Sequence, residues 1–323
     1  MSARSRDRFA EVVHREPVDL AAACHLLAAE ADASADHQDP AVTLDALDTL
    51  AVRARPLLAA RAGAARRFPR VEHGTGAVPG TGAGAGPAAA AGPAERDQPG
   101  RPGAGHGFGG LDPRVAAEAL HEALGLDAGF AGSEEDYEDL RSSLLPDVLR
   151  RRRGLPILLS VIWLEVAHRL GVAAYPVGLP GHVVVAIGAP EDFVLVDPFA
   201  AGKLLTIHDA AAKVRAAGAA FHRGHLAPMS GHDVLTRILG NIRVLAARTD
   251  APRTRLWAVE LSLLLPHHPA SLRRERGELR VRLGDFLGGA GDLTSFADAV
   301  TAVEPAAAAA ARQAAAAARA RLN

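Results

Sequence analysis

The chain has 323 residues, with 36 basic against 37 acidic side chains and a formal net charge of −1, so no global charge draws it toward nucleic acid or anionic lipid. A single cysteine, Cys24, excludes an intrachain disulfide, a Cys-rich zinc site and an iron–sulfur cluster, and it suits a reducing cytosol. The length suggests about two domains, and with aromatics at only 4% the aliphatic side chains must fill the interior.

The charged start, Met1 to Val13, lacks the apolar stretch of a signal peptide. No run of about 18 apolar residues occurs, so a cytoplasmic location is expected. Residues 1–70 read as a small helical unit that must dock on something else. Pro17 stands near a helix start, and Leu20, Cys24, Leu27 and Ala31 recur at helical spacing. A second helix follows Pro40, with Leu44, Leu47 and Leu50 on one side; Pro56 is expected to interrupt or kink it.

Residues 71–107 are mostly Gly, Ala and Pro, including GTGAGAGPAAAAGPA, and read as a disordered linker. The formal GxGxxG at Gly105–Gly110 follows no strand, so it predicts no dinucleotide site.

Residues 108–228 carry the strongest pattern. Helices are predicted over Pro113–Leu124, Leu144–Arg153 and Pro156–Leu170. The last has Pro in its first turn and stops at Gly171. Strands follow at Val172–Val177, His182–Ile187 and Phe193–Val196, separated by the loops Gly178–Gly181 and Gly188–Pro190. A long helix followed by an antiparallel meander is an α+β pattern.

Residues 229–323 read as helical throughout, with helices at Asp233–Ala247, Arg253–Leu265, Ala270–Leu287 and Asp292–Val303. The stretches LSLLLP and AVTAVEP echo each other at a spacing somewhat longer than a tetratricopeptide repeat, and Gly288–Gly291 would absorb the excess. The alanine-rich tail after Pro305 reads as a solvated capping helix.

His182 opens a strand after a Pro-Gly turn, and Asp197 ends the next strand. Adjacent antiparallel strands place such residues side by side. An Asp accepting from one imidazole nitrogen leaves the other free to act as a base; a loop-satisfying His and a turn-capping Asp would show the same spacing. Ser160 lies one turn into the long helix. It needs a base and an oxyanion hole to be a nucleophile, and a serine in an apolar helix commonly bonds its own i−4 carbonyl. Arg150–Arg153 read as a solvated helix terminus capped by a left-handed Gly154. His222, His225 and His232 with Asp233 read as loop histidines rather than a zinc site. No metal and no cofactor are expected.

The runs RRRGLPILLSVIWLEVAHRLGV, VGLPGHVVVAI and FVLVDPFAAGKLL resemble a transglutaminase-like domain of the bacterial SirB type. PVDLAAACHLLAAEAD and the GF…DYEDLRSSLLPDVL stretch resemble it too, and the helical tail resembles its tetratricopeptide-like C-terminal part. The resemblance implies a papain-like α+β core, a long helix on a short antiparallel sheet. It implies flanking by an N-terminal helical unit and a C-terminal helical repeat. In the superfamily a nucleophilic Cys starts the long helix, a His opens one strand and an Asp ends the next. His182 and Asp197 match the last two. The Cys position falls near Pro156, which has no thiol, and the SirB-type branch lacks the cysteine similarly. Cys24 lies in an apolar helical stripe and reads as a buried small hydrophobe. Two functions follow. One is a non-catalytic scaffold that binds a protein or peptide through its cleft and helical repeat, without nucleic acid or membrane. The alternative is a serine hydrolase or acyltransferase using Ser160, His182 and Asp197.

The linker expectation has a direct check. Replacing residues 71–107 by a short Gly/Ser bridge should leave the melting temperature nearly unchanged. A fall of many degrees in a thermal melt would show that the segment contributes to the core.

Overall fold

The structure, a computed structural model, describes residues 3–31, 40–67 and 107–322. The expected linker lies outside the described residues except for Gly107. Three N-terminal helices, α1 (Ala3–Val13), α2 (Leu20–Ala31) and α3 (Pro40–Arg67), precede α4 (Pro113–Leu120), α5 (Leu145–Arg151) and the long α6 (Pro156–Arg169). The meander β1 (Ala174–Leu179), β2 (His182–Ala189), β3 (Asp192–Asp197) and β4 (Lys203–Leu205) follows, then α7 (Ile207–Ala216). The remaining helices are α8 (Gly231–Arg248), α9 (Pro252–Ser262), α10 (Ser271–Arg282), α11 (Phe286–Val300) and α12 (Pro305–Ala320).

Helix α6 is apolar on nearly every face, so it must be enclosed rather than laid on a surface. Ile157, Leu158, Leu159, Val161, Ile162, Trp163 and Val166 are all buried there. Pro156 occupies the first turn, and Gly171 at φ +72° closes the far end. Burying each such large side chain contributes roughly 1.5–3 kcal/mol.

The sheet is wholly antiparallel, in the order β1-β2-β3-β4. Side-chain alternation splits it between two cores. Val183, Val185, Ile187 and Val196 join the core around α6. Val177, Leu179, Val184, Ala186 and Leu195 face the other way, against Ala210 and Val214 of α7. A sheet covered on both faces explains why its strands read as continuous apolar runs.

Several elements differ from the sequence expectations. Helix α3 continues through Pro56. Helix α1, strand β4 and helix α7 were not foreseen: α1 and α7 have small apolar faces, and β4 is three residues long. The left-handed residue after α5 is Arg152 at φ 59°, not Gly154. Gly154 is needed instead for space, because a Cβ there would lie 2.6 Å from Val148 Cγ2.

Helices α8 and α9 belong to the main core through Val234, Leu235, Ile238, Ile242, Trp257 and Leu261. A chain of ion pairs joins the N-terminal unit to the C-terminal helices. Arg6 lies 2.5 Å from Glu30 and 2.8 Å from Glu260; Arg280 lies 3.1 Å from both Glu260 and Asp292. The tail helix α12 is not simply solvated, since Ala308, Ala311, Ala315 and Ala318 are buried against neighbouring helices.

Gly288–Gly291 lie inside α11 rather than in a turn; the turn is at Gly284, with φ +91°. The glycines serve packing. A Cβ on Gly289 would lie 2.6 Å from Val281 Cγ2 and 2.8 Å from the Gly277 carbonyl oxygen. Gly289→Ala should therefore destabilise the protein by roughly 1–3 kcal/mol despite alanine's better helix propensity. Chemical denaturation measures it, and a neutral or stabilising result would remove the close α10–α11 approach as a constraint.

Candidate functional site

His182 and Asp197 come together at one end of the sheet. His182 pairs with Leu179 across the β1–β2 turn, and the β2–β3 register aligns Val185 with Val196. His182 Nε2 donates to Asp197 Oδ1 at 2.9 Å. The same oxygen accepts from the Phe199 backbone N–H at 3.1 Å. Lys213 Nζ, reaching over from α7, makes an ion pair with Oδ2 at 2.8 Å. Burial opposes ionisation of Asp197, but His182 and Lys213 outweigh it and hold the carboxyl below its usual range.

Aromatic rings wall this edge. Phe199 stands edge-on to His182, with centroids 5.9 Å apart, and Tyr137 stands edge-on to Phe199 at 5.9 Å. Burial raises the pKa of the Tyr137 phenol; Asp197 adds to the rise and Arg237 opposes it. Gly132 packs against the Phe199 ring so closely that a Cβ would lie 2.0 Å from it and 2.8 Å from the Gly154 carbonyl oxygen. Phe199 thus links the His–Asp pair to the loop that precedes α5.

That loop is pinned by a buried carboxylate. Asp136 accepts from the Ser133 N–H at 2.8 Å, Ser142 Oγ at 2.9 Å and Arg153 Nε at 3.1 Å. Arg151 reaches Asp139 at 3.0 Å. Arg151 and Arg153 are therefore not a freely solvated face, because α5 ends directly beside this acidic loop. Together they border an open cleft of about 610 Å³ lined by residues 129, 131–135 and 151–153.

Ser160 is 1% exposed, and its hydroxyl donates to the Pro156 carbonyl at 2.8 Å. Helix α6 lies against the sheet face carrying Val183 and Val185, whereas His182 shares the strand parity of Val184 and Ala186. Among the described residues, no hydrogen bond joins Ser160 to His182. Cys24 is fully buried, and burial pushes its thiol pKa up. His222 and His225 stack on each other with centroids 3.6 Å apart, while His232 Nε2 donates to the Val13 carbonyl at 2.7 Å. Among the described residues no group of three or more His, Cys, Asp or Glu side chains could hold a metal ion, and no helix is long and apolar enough to cross a membrane.

Sequence reasoning did not single out Tyr137, Phe199, Lys213 or Arg237. Tyr137 and Phe199 sit inside stretches that carried the family resemblance. Arg237 had one signal, a cation among the apolar positions Val234, Leu235 and Ile238 of α8. Lys213 had none, because the ion pair needs α7 to be placed.

A helix enclosed by a small antiparallel sheet, with a His–Asp pair at the sheet end and paired helices behind, defines a transglutaminase-like core carrying a helical repeat. The family model described as transglutaminase-like superfamily matches residues 42–240, and a tetratricopeptide-repeat model matches residues 242–323. The chain belongs to the transglutaminase-like superfamily. A UPF0162 protein of Xylella fastidiosa is 34% identical over 190 residues, covering 55% of this chain and 66% of that protein. The matched region thus spans just under two thirds of that relative. A UPF0162 protein of Vibrio cholerae is 25% identical over 176 residues, covering 51% of this chain and 63% of its own. F-box only protein 21 of Mus musculus is 30% identical over 161 residues, covering 47% of this chain and 25% of that protein. No solved structure matches the chain.

Asp136 and Asp197 make stability depend on pH. Both carboxyls are held below the ordinary value of 3.8 when folded, so the unfolded chain takes up protons first. Their contribution is complete above roughly pH 5 and is lost as pH falls through about 4 and below. Asp136→Asn should destabilise the fold at pH 6, because the buried carboxylate accepts from the Ser133 N–H, Ser142 Oγ and Arg153 Nε and an amide cannot accept from all three, and it should flatten the acid decline between pH 6 and pH 3. Urea denaturation across that range tests this; a decline parallel to wild type would exclude Asp136 as a source.

Proposed function

We propose that the chain is a non-catalytic protein of the transglutaminase-like superfamily that binds a peptide or protein partner at the His182 edge and along its helical repeat. The observation that carries this reading is the state of the two side chains nearest a nucleophilic role. The superfamily's cysteine position falls near Pro156, and the Ser160 hydroxyl is buried and committed to the Pro156 carbonyl. Strand parity further separates Ser160 from His182. Catalysis by a hydroxyl requires a base within hydrogen-bond reach, and the Ser160 hydroxyl would first have to leave the Pro156 carbonyl.

The retained geometry suits recognition. His182, fixed by Asp197, presents an imidazole with its other nitrogen available beside an aromatic wall. The tetratricopeptide region adds stacked helices of the kind that form extended protein-binding surfaces. The opposing reading, a serine hydrolase or acyltransferase, draws on the His–Asp bond alone.

A fluorophosphonate probe separates the two. Wild type, Ser160→Ala and His182→Ala, each shown to be folded by circular dichroism, should remain unlabelled alike. Labelling of wild type that disappears in both variants would establish a serine enzyme and end the non-catalytic reading.

A further inference from the structure

Arg237 adds a cation to the His182 edge. It projects from α8, and its Nη2 donates to the carbonyl oxygens of Leu179 at 2.8 Å and His182 at 3.0 Å, the two residues that close the β1–β2 turn. Both acceptors are neutral. Among the described residues no carboxylate pairs with Arg237. A guanidinium remains charged in a protein, so a partly buried cation stands here without a counter-ion.

The other charges at this edge are already matched. Asp197 spends Oδ1 on His182 and the Phe199 N–H, and Oδ2 on Lys213. Lys213 thus matches the Asp197 carboxylate, and among the described residues the positive charge of Arg237 is left without a carboxylate partner. Next to it stand Tyr137, Phe199 and His182, joined edge to face, with Tyr137 39% exposed. With both Nη2 protons committed to the strand carbonyls, Arg237 offers the charged Nη1 as a donor, and a single charged donor beside an apolar wall fits a carboxylate with a neighbouring hydrophobic residue better than a multiply charged phosphate.

We propose that the His182 edge is a receptor for a carboxylate-bearing peptide, with Arg237 as its anchor and the Tyr137–Phe199–His182 rings as the wall for the adjoining residue. This deepens the peptide-binding reading and rests on it. The carboxylate has two sources, a chain's C-terminus or an internal acidic side chain.

The test uses the full chain with ring-labelled histidine and tyrosine, followed by NMR. The probes are acetyl-Ala-Phe with a free carboxylate, its C-terminal amide, and acetyl-Phe-Glu-Ala-amide. The expected result is saturable movement of the His182 and Tyr137 ring signals with at least one acid, at an affinity at least tenfold above that of the amide. Preference for the first acid assigns the C-terminus, and preference for the third peptide assigns an internal acid. Arg237→Met should weaken binding at least tenfold. If that variant does not fold, Arg237→Gln, which keeps a donor for the strand carbonyls, replaces it. Equal binding of acid and amide, unchanged affinity in the folded variant, or no saturable shift overturns the proposal. None of these outcomes bears on fluorophosphonate labelling, so this inference and the non-catalytic reading fail separately.

Discussion

Everything in this protein follows from enclosing α6. A helix that is apolar all round has no face to give to water, so it needs walls on every side. The sheet supplies one wall, and the N-terminal helices together with α8 supply others. The enclosure explains the size of the N-terminal unit. Without α2 and α3, which carry Leu27, Leu47 and Leu58, the helix would lie partly exposed.

The sheet that forms this wall is itself covered twice, and that fixes the candidate site. Strand alternation sends odd and even residues to opposite cores. His182 and Asp197 fall in the set that faces α7, which is why Lys213 can reach Asp197. Ser160 belongs to the helix behind the other face. A one-residue shift in β2 would exchange these neighbours, so the hydrophobic pattern of Val183–Ile187 also holds the register of the chemical groups.

The C-terminal helices are continuous with this core rather than appended to it. Helix α8 buries Val234, Leu235 and Ile238 in the main core and delivers Arg237 to the β1–β2 turn. The Arg6–Glu30–Glu260–Arg280–Asp292 chain ties the first helices to α9, α10 and α11. A ligand at the His182 edge would thus touch the same helix that leads into the repeat.

Much of this was legible in the residues. The apolar run Ile157–Val166 with Pro156 before it and Gly171 after it dictates a buried helix, because capping and composition act locally. The Pro-Gly turn before His182 and the Asp-Pro pair at 197–198 set the strand ends for the same reason. Close helix packing at Gly277 and Gly289 was not legible, since a glycine in a turn and a glycine against another backbone look alike in sequence. Nor were α7, β4, the Lys213 ion pair or the uncompensated Arg237, because each depends on what lies across the sheet. The sequence by itself determined the helix, the meander and the side-by-side placement of His182 and Asp197, all consequences of local periodicity and turn chemistry. Only the tertiary structure decided which face of the sheet those groups share, which cations meet them and that the buried Ser160 hydroxyl bonds the Pro156 carbonyl, because burial and strand parity are properties of the assembled layers.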